Sequence, residues 1–246
     1  TSIALPVMPE VGLALINTLD DEDTPPSKIQ ALIAQDPALS AKLLALANSA
    51  AFGLTRKVST LDSALSLVGI SKVRTLALSA CLHNAFSMPQ GVDGAAFWRY
   101  GQRCAGYAQW LAEGVDEDRQ RAWLTGLMLR LGELLICTAH PKAATAIEQQ
   151  PCKPGERWER ERQWAGFDEG EISAAIAQHW DFPENFEHAL RHCARPLTPP
   201  GNTLSVVLHL ASRLADHPQP GGQALTDWPT SCVEALGLNL ESLAKL

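Results

Sequence analysis

The stretch from Asp36 to Gly53, DPALSAKLLALANSAAFG, decides the reading of this chain. Asp36 is a capping residue and Pro37 suits the first helical position. Leu39, Leu43, Leu46 and Ala50 then recur on one face at helical spacing. Phe52 and Gly53 close the segment. Helical periodicity dominates outward from it in both directions, and no period-2 run of β-branched residues appears, so the chain reads as all-α with short connections.

In the first part, cap residues and apolar spacing predict helices over 10–19, 27–35, 37–51, 61–68 and 71–86, which form one bundle. Met88-Pro89-Gln90-Gly91-Val92-Asp93-Gly94 stacks Pro and Gly between periodic segments. A boundary falls there, dividing a helical subdomain, 1–90, from a second one, 91–246. Asp93 then caps a long helix to about residue 113, Asp116 another to about 138, and Pro141 opens a shorter one. Further helices are expected over 155–165, 168–179, 183–194 and 201–216. HPQPGGQALTD, 217–227, reads as a loop, with a short helix after Pro229.

With 246 residues and 46% apolar content the chain can bury a substantial core. Lys and Arg number 20 against 27 Asp and Glu, so the molecule repels polyanions overall and nucleic acid is a poor partner. No apolar run reaches bilayer length and no basic-then-apolar leader opens the chain; the expectation is a cytoplasmic protein without a membrane partner. Because it begins at Thr1, it reads as a processed product or as a module of a longer protein. Six scattered cysteines, with no C-x-x-C pair, read as buried reduced thiols.

Together with Leu5-Pro6, Met8-Pro9 and the Ala64 to Arg74 run ALSLVGISKVR, the opening segment resembles the HDOD domain family, a non-catalytic offshoot of the HD metal-dependent phosphohydrolases. Asp36, Pro37, Asn48 and Ser49 belong to the motif that carries the resemblance. It implies a single HDOD-like domain over 1–246, with an N-terminal helical bundle packed on a degenerate HD-phosphohydrolase-like helical bundle.

An HD enzyme centres its metal site on a His-Asp dyad, because imidazole and carboxylate hold the ion that generates hydroxide and neutralises phosphoryl charge. By this resemblance the dyad segment falls on Gly126-Leu127-Met128-Leu129-Arg130-Leu131-Gly132, where Leu129 and Arg130 stand in place of His and Asp. The other ligand positions fall on Tyr100, Glu169 and Ser212, with His192 as a remnant of the ancestral cluster. A fixed guanidinium at Arg130 opposes a dication by Coulomb repulsion. The expectation is that Arg130 pairs with Glu169 or Glu133 and ties helices together; the plainer alternative sends Arg130 to solvent while Leu129 fills core.

His188 and His192 are four apart on one helix, a spacing that lets two imidazoles face a common ion, but no Asp or dyad supports them. A helix-turn-helix reading of 27–49 offers Lys42 as the only cation of its recognition helix and is set aside. In GERWERERQW, 155–164, Arg157, Trp158, Arg162 and Trp164 suggest a partner surface, against the alternative of a solvated amphipathic helix whose Glu residues offset the charge.

The resemblance thus implies no catalysis, no metal and no cofactor, and a bacterial signal-transduction or scaffold module acting through protein or small-ligand binding. Its implied associates are cyclic-di-GMP turnover, receiver or kinase domains. Two rivals remain open: a metal-dependent phosphohydrolase of nucleotides or cyclic dinucleotides, using His179, His188, His192, Glu169 and Asp168, and a sensor that holds an anion or nucleotide in the vestigial cavity.

Overall fold

A computed structural model describes residues 5–21, 23–48, 57–148, 153–199, 201–217, 225 and 228–239. Every regular element among them is helical. Ser49, the expected end of the opening helix at 51, and most of the expected loop over 217–227 lie outside the described residues.

Two compact units emerge, one comprising Leu5–Ser87 with His179–Pro183, the other Met88–Gln178 with Glu184–Leu246. The first contains α1 (Glu10–Ile16), α2 (Pro26–Ala34), α3 (Pro37–Ala47), α4 (Leu61–Val68) and α5 (Ile70–Ala85). Asp36 caps α3, its Oδ1 accepting the Leu39 N–H at 3.0 Å. Leu15, Ile33, Leu43, Leu78 and Leu82 are wholly buried and fill the core. A single residue, Gly69, turns α4 into α5 at φ +89°, a conformation open to glycine. Asn48 clamps the chain returning from α3: its Oδ1 accepts from Val58 N and its Nδ2 donates to Val58 O, both at 2.7 Å.

His179–Pro183 departs from the expected division at residue 90. The Trp180 indole donates to Pro6 O at 3.1 Å and its ring meets Phe86 edge-on, so burial of one tryptophan recruits this segment to the first unit.

The second unit contains α6 (Gly94–Ala112), α7 (Arg119–Met128), α8 (Leu131–Ala139), α9 (Pro141–Glu148), α10 (Arg157–Ala165), α11 (Glu169–His179), α12 (Glu184–His192), α13 (Thr203–Asp216) and α14 (Thr230–Ala235). Asp93 caps α6 as expected, but α7 is capped by Asp118, not Asp116, which adopts a left-handed φ of +38° in the preceding turn. Helix α6 packs on α7 and α13, and α12 packs on both α13 and α7.

The single helix expected up to residue 138 is broken at Leu129–Arg130. Ser173 of α11 explains the break: its hydroxyl donates to Leu129 O and accepts the Gly132 N–H, each at 2.8 Å. A side chain inserted into the i→i−4 ladder takes groups that would otherwise continue the helix. By length and composition 119–139 could cross a bilayer, yet most of it is buried inside the protein. Cys81, Cys104, Cys193 and Cys232 are free and buried, and Cys137 is buried; Cys152 lies outside the described residues.

Candidate functional site

The break leaves Arg130 at the entry to α8 with φ −86° and ψ 2°, so its side chain leaves the helix axis among carboxylates from three elements. Its Nε donates to Glu169 Oε2 at 3.2 Å and lies 3.6 Å from Glu133 Oε2, while Nη2 donates to Asp216 Oδ1 at 2.8 Å. The guanidinium carbon sits 3.1 Å above the Tyr100 ring centre. Arg130 therefore pairs with both expected partners, Glu169 and Glu133, and with a third, Asp216.

A second arginine extends the network. Arg157, at the start of α10, places Nη2 2.6 Å from Glu133 Oε1 and Nε 3.1 Å from Glu161 Oε1. Glu161 Oε2 accepts the Glu169 N–H at 2.7 Å, and Glu169 Oε1 accepts from the Trp158 indole at 3.2 Å. Two guanidiniums thus hold four carboxylates, all but Asp216 nearly sealed from solvent. Burial pushes the Glu161 carboxyl well above its ordinary range, with the Glu169 charge adding to the rise, and pushes that of Glu169 upward against the pull of Arg130 and Arg157. Nearby, Asp168 pairs with Arg162 and caps α11 by accepting from Glu171 N; burial raises its pKa to about 6. Trp158 also stacks on His209, whose Nδ1 bonds Cys193 O and whose burial lowers its pKa to about 4.

Of the residues placed in the vestigial site by sequence, Tyr100, Arg130 and Glu169 come together here. Leu129 fills core and gives its carbonyl to Ser173. The Ser212 hydroxyl bonds back to His209 O on its own helix. His192 stacks on His188, ring centres 4.6 Å apart, and does not join the network.

The expected partner surface on α10 needs correction. Arg157 and Trp158 are buried and Arg162 is held by Asp168, leaving Trp164, 55% exposed, as the outward member. The charged residues of this helix offset one another, and two of them do so inside the protein: Arg157 and Glu161 share an inward face at i,i+4 spacing. Sequence reasoning missed Glu161, Ser173 and Asp216. For Asp216 a signal existed, since it lies one turn beyond Ser212 and shares its face of α13.

The donor set does not fit the divalent metal of HD enzymes: Leu129 and Arg130, which the resemblance sets at the dyad, carry an alkyl group and a guanidinium, and the surrounding carboxylates are committed to arginines. Among the described residues no group of three or more His, Cys, Asp or Glu is arranged to hold a metal ion. The network instead borders a cavity of about 490 Å³, whose wall includes the polar Tyr100, Arg103, Arg130 and Asp216 and the apolar Phe97 and Ile147.

This helical arrangement is that of the HD-like phosphohydrolase fold. A Shewanella amazonensis protein provisionally called a phosphohydrolase is similar in structure at TM-score 0.81 and 28% identity, over 98% of this chain and 89% of that one. The MmoQ response regulator of Methylococcus capsulatus matches at TM-score 0.51 and 27% identity, over 99% of this chain and 97% of its own. An HDOD domain protein of Geobacter sulfurreducens shares the fold at TM-score 0.74, with 20% identity over 87% of this chain and 72% of that one. The HDOD domain family matches residues 5–196, and the chain belongs to it. An uncharacterized Treponema pallidum protein is 29% identical over 208 residues, 79% of this chain; the match spans 40% of that relative's length.

Proposed function

We propose that this chain is a non-catalytic signalling module in which an arginine-centred ion-pair network replaces the metal centre of its enzymatic relatives. One observation carries the reading. Arg130, at the dyad position, puts a permanent cation among the carboxylates a metal would need, and each partner is engaged by a guanidinium. Removing the ion removes the source of hydroxide and the charge that stabilises phosphoryl transfer. What remains is a helical scaffold suited to differential binding.

In this reading the module works in the bacterial cytoplasm beside cyclic-di-GMP turnover, receiver or kinase domains. The buried free thiols of Cys81, Cys104, Cys193 and Cys232 suit a reducing compartment. The test is elemental mass spectrometry on protein purified without chelator or added metal, with a phosphodiesterase assay on the same sample. Metal far below one equivalent and no turnover are expected. Stoichiometric manganese, iron, zinc or nickel with turnover would overturn the proposal in favour of a phosphohydrolase.

A further inference from the structure

We infer that the cavity beside Arg130 binds a small oxyanion, the phosphate or carboxylate group of a metabolite, which takes the place of Asp216 on Arg130. The inference rests on the non-catalytic reading and adds to it a ligand class.

The three carboxylates around Arg130 are unequal. The Glu169 side chain is 1% exposed and that of Glu133 4%, whereas Asp216 is 18% exposed and lines the cavity. Asp216 is therefore the partner that a soluble anion can displace at least cost, because it returns to water instead of being stranded in the interior.

The cavity wall is rich in unspent donors. Arg103 commits Nη2 to Ala215 O at 2.7 Å, and its Nε and Nη1 have no hydrogen-bond partner among the described residues; neither has Nη1 of Arg130. Tyr100, 4% exposed, lines the wall with its hydroxyl sealed behind it and without a partner of good geometry among the described residues. The adjacent Cys104 thiol is a weak acceptor that leaves the hydroxyl under-satisfied. Phe97 and Ile147 offer an apolar wall to the carbon body of the ligand, and the volume suits a metabolite.

Exchange has a mechanical result, because Asp216 is the last residue of α13. An anion on Arg130 takes away the Asp216 tie at that helix end and leaves the Arg103 bond to Ala215 O. Binding is thereby linked to the arrangement of the chain beyond α13.

The experiment is calorimetric titration of the full chain with inorganic phosphate, glycerol phosphate and succinate, for wild type, Asp216→Asn and Arg103→Ala, each checked for folding by circular dichroism. Saturable binding is expected, about tenfold tighter in Asp216→Asn, where the competing charge is gone, and about tenfold weaker in Arg103→Ala. The phosphate and succinate arms separate the two sources of oxyanion. Binding absent from both wild type and Asp216→Asn, or weaker in Asp216→Asn than in wild type, would overturn the site. Phosphate released from glycerol phosphate would count against the non-catalytic reading and leave the anion site standing.

Discussion

Gly132 of α8 lies against the backbone of Glu169: a Cβ on Gly132 would overlap the Glu169 carbonyl oxygen and come within 2.9 Å of the Ile172 Cβ. This close approach of α8 and α11 lets Arg130, two residues earlier, reach the Glu169 side chain. Gly132→Ala is expected to cost about 3 kcal/mol or more, since backbone rather than a flexible side chain must move. Gly106→Ala on α6 meets nothing within 4 Å and should stabilise by up to about 1 kcal/mol. Urea denaturation of the two variants checks the contrast; equal midpoints would show that α8 and α11 separate freely.

Arg130→Ala strands Glu169 and Glu133 without their central cation. A loss of about 3–5 kcal/mol is expected, as for a buried ion pair broken on one side. Replacing both charges, in Arg130→Met with Glu169→Gln, should recover much of that loss. Thermal melting decides, and an unchanged midpoint for Arg130→Ala would mean the network does not hold the helices.

Asn48 makes two bonds to the backbone of one residue, Val58, across the connection from α3 to α4. Asn48→Ala should cost about 2 kcal/mol by leaving both Val58 groups unmade. Asn48→Asp should also destabilise, because a carboxylate cannot donate to the Val58 carbonyl. Thermal melting that distinguishes neither variant from wild type would remove Asn48 from any structural role.

Acid should reveal His209. Its pKa is lowered to about 4 by burial, so the unfolded chain binds its proton first and stability falls as pH drops from about 6.5 to 4. Asp168, raised to about 6 by burial, has the opposite sign: it favours the folded state below its unfolded pKa, a contribution lost as pH rises through about 6. The two partly offset in wild type. His209→Asn removes one of them, so the difference in melting midpoint between variant and wild type should shift in the variant's favour on going from pH 7 to pH 4.5. A difference constant with pH would show that His209 does not stay neutral in the fold.

Much of the helical plan was legible because caps and apolar spacing are local: Asp36 and Asp93 mark true helix starts, and 61–68 was placed without error. The break at Leu129–Arg130 was not, because its cause is Ser173, more than forty residues away in the chain and carrying no turn signal. Asp116 and Asp118 are equally good caps on paper, and only the left-handed turn at Asp116 separates them. In the site, the pairing of Arg130 with Glu169 and Glu133 followed from charge logic once a cation stood at the dyad. Arg157 and Trp158 read as surface because a linear sequence shows how many charges a helix has and not that they are satisfied inward.

The distance along the chain between Arg130 and Asp216 sets an order of assembly. Arg130 emerges during synthesis with Glu133 beside it, meets Glu169 39 residues later and Asp216 only after 86. At ribosomal speeds that interval is roughly 5–15 seconds, a long time for a buried cation to lack its full set of counter-charges. Asp216 also lies beyond residue 196, where the family match ends. A chain stopped at that limit would carry the whole family match and still lack the helix that completes its charged core.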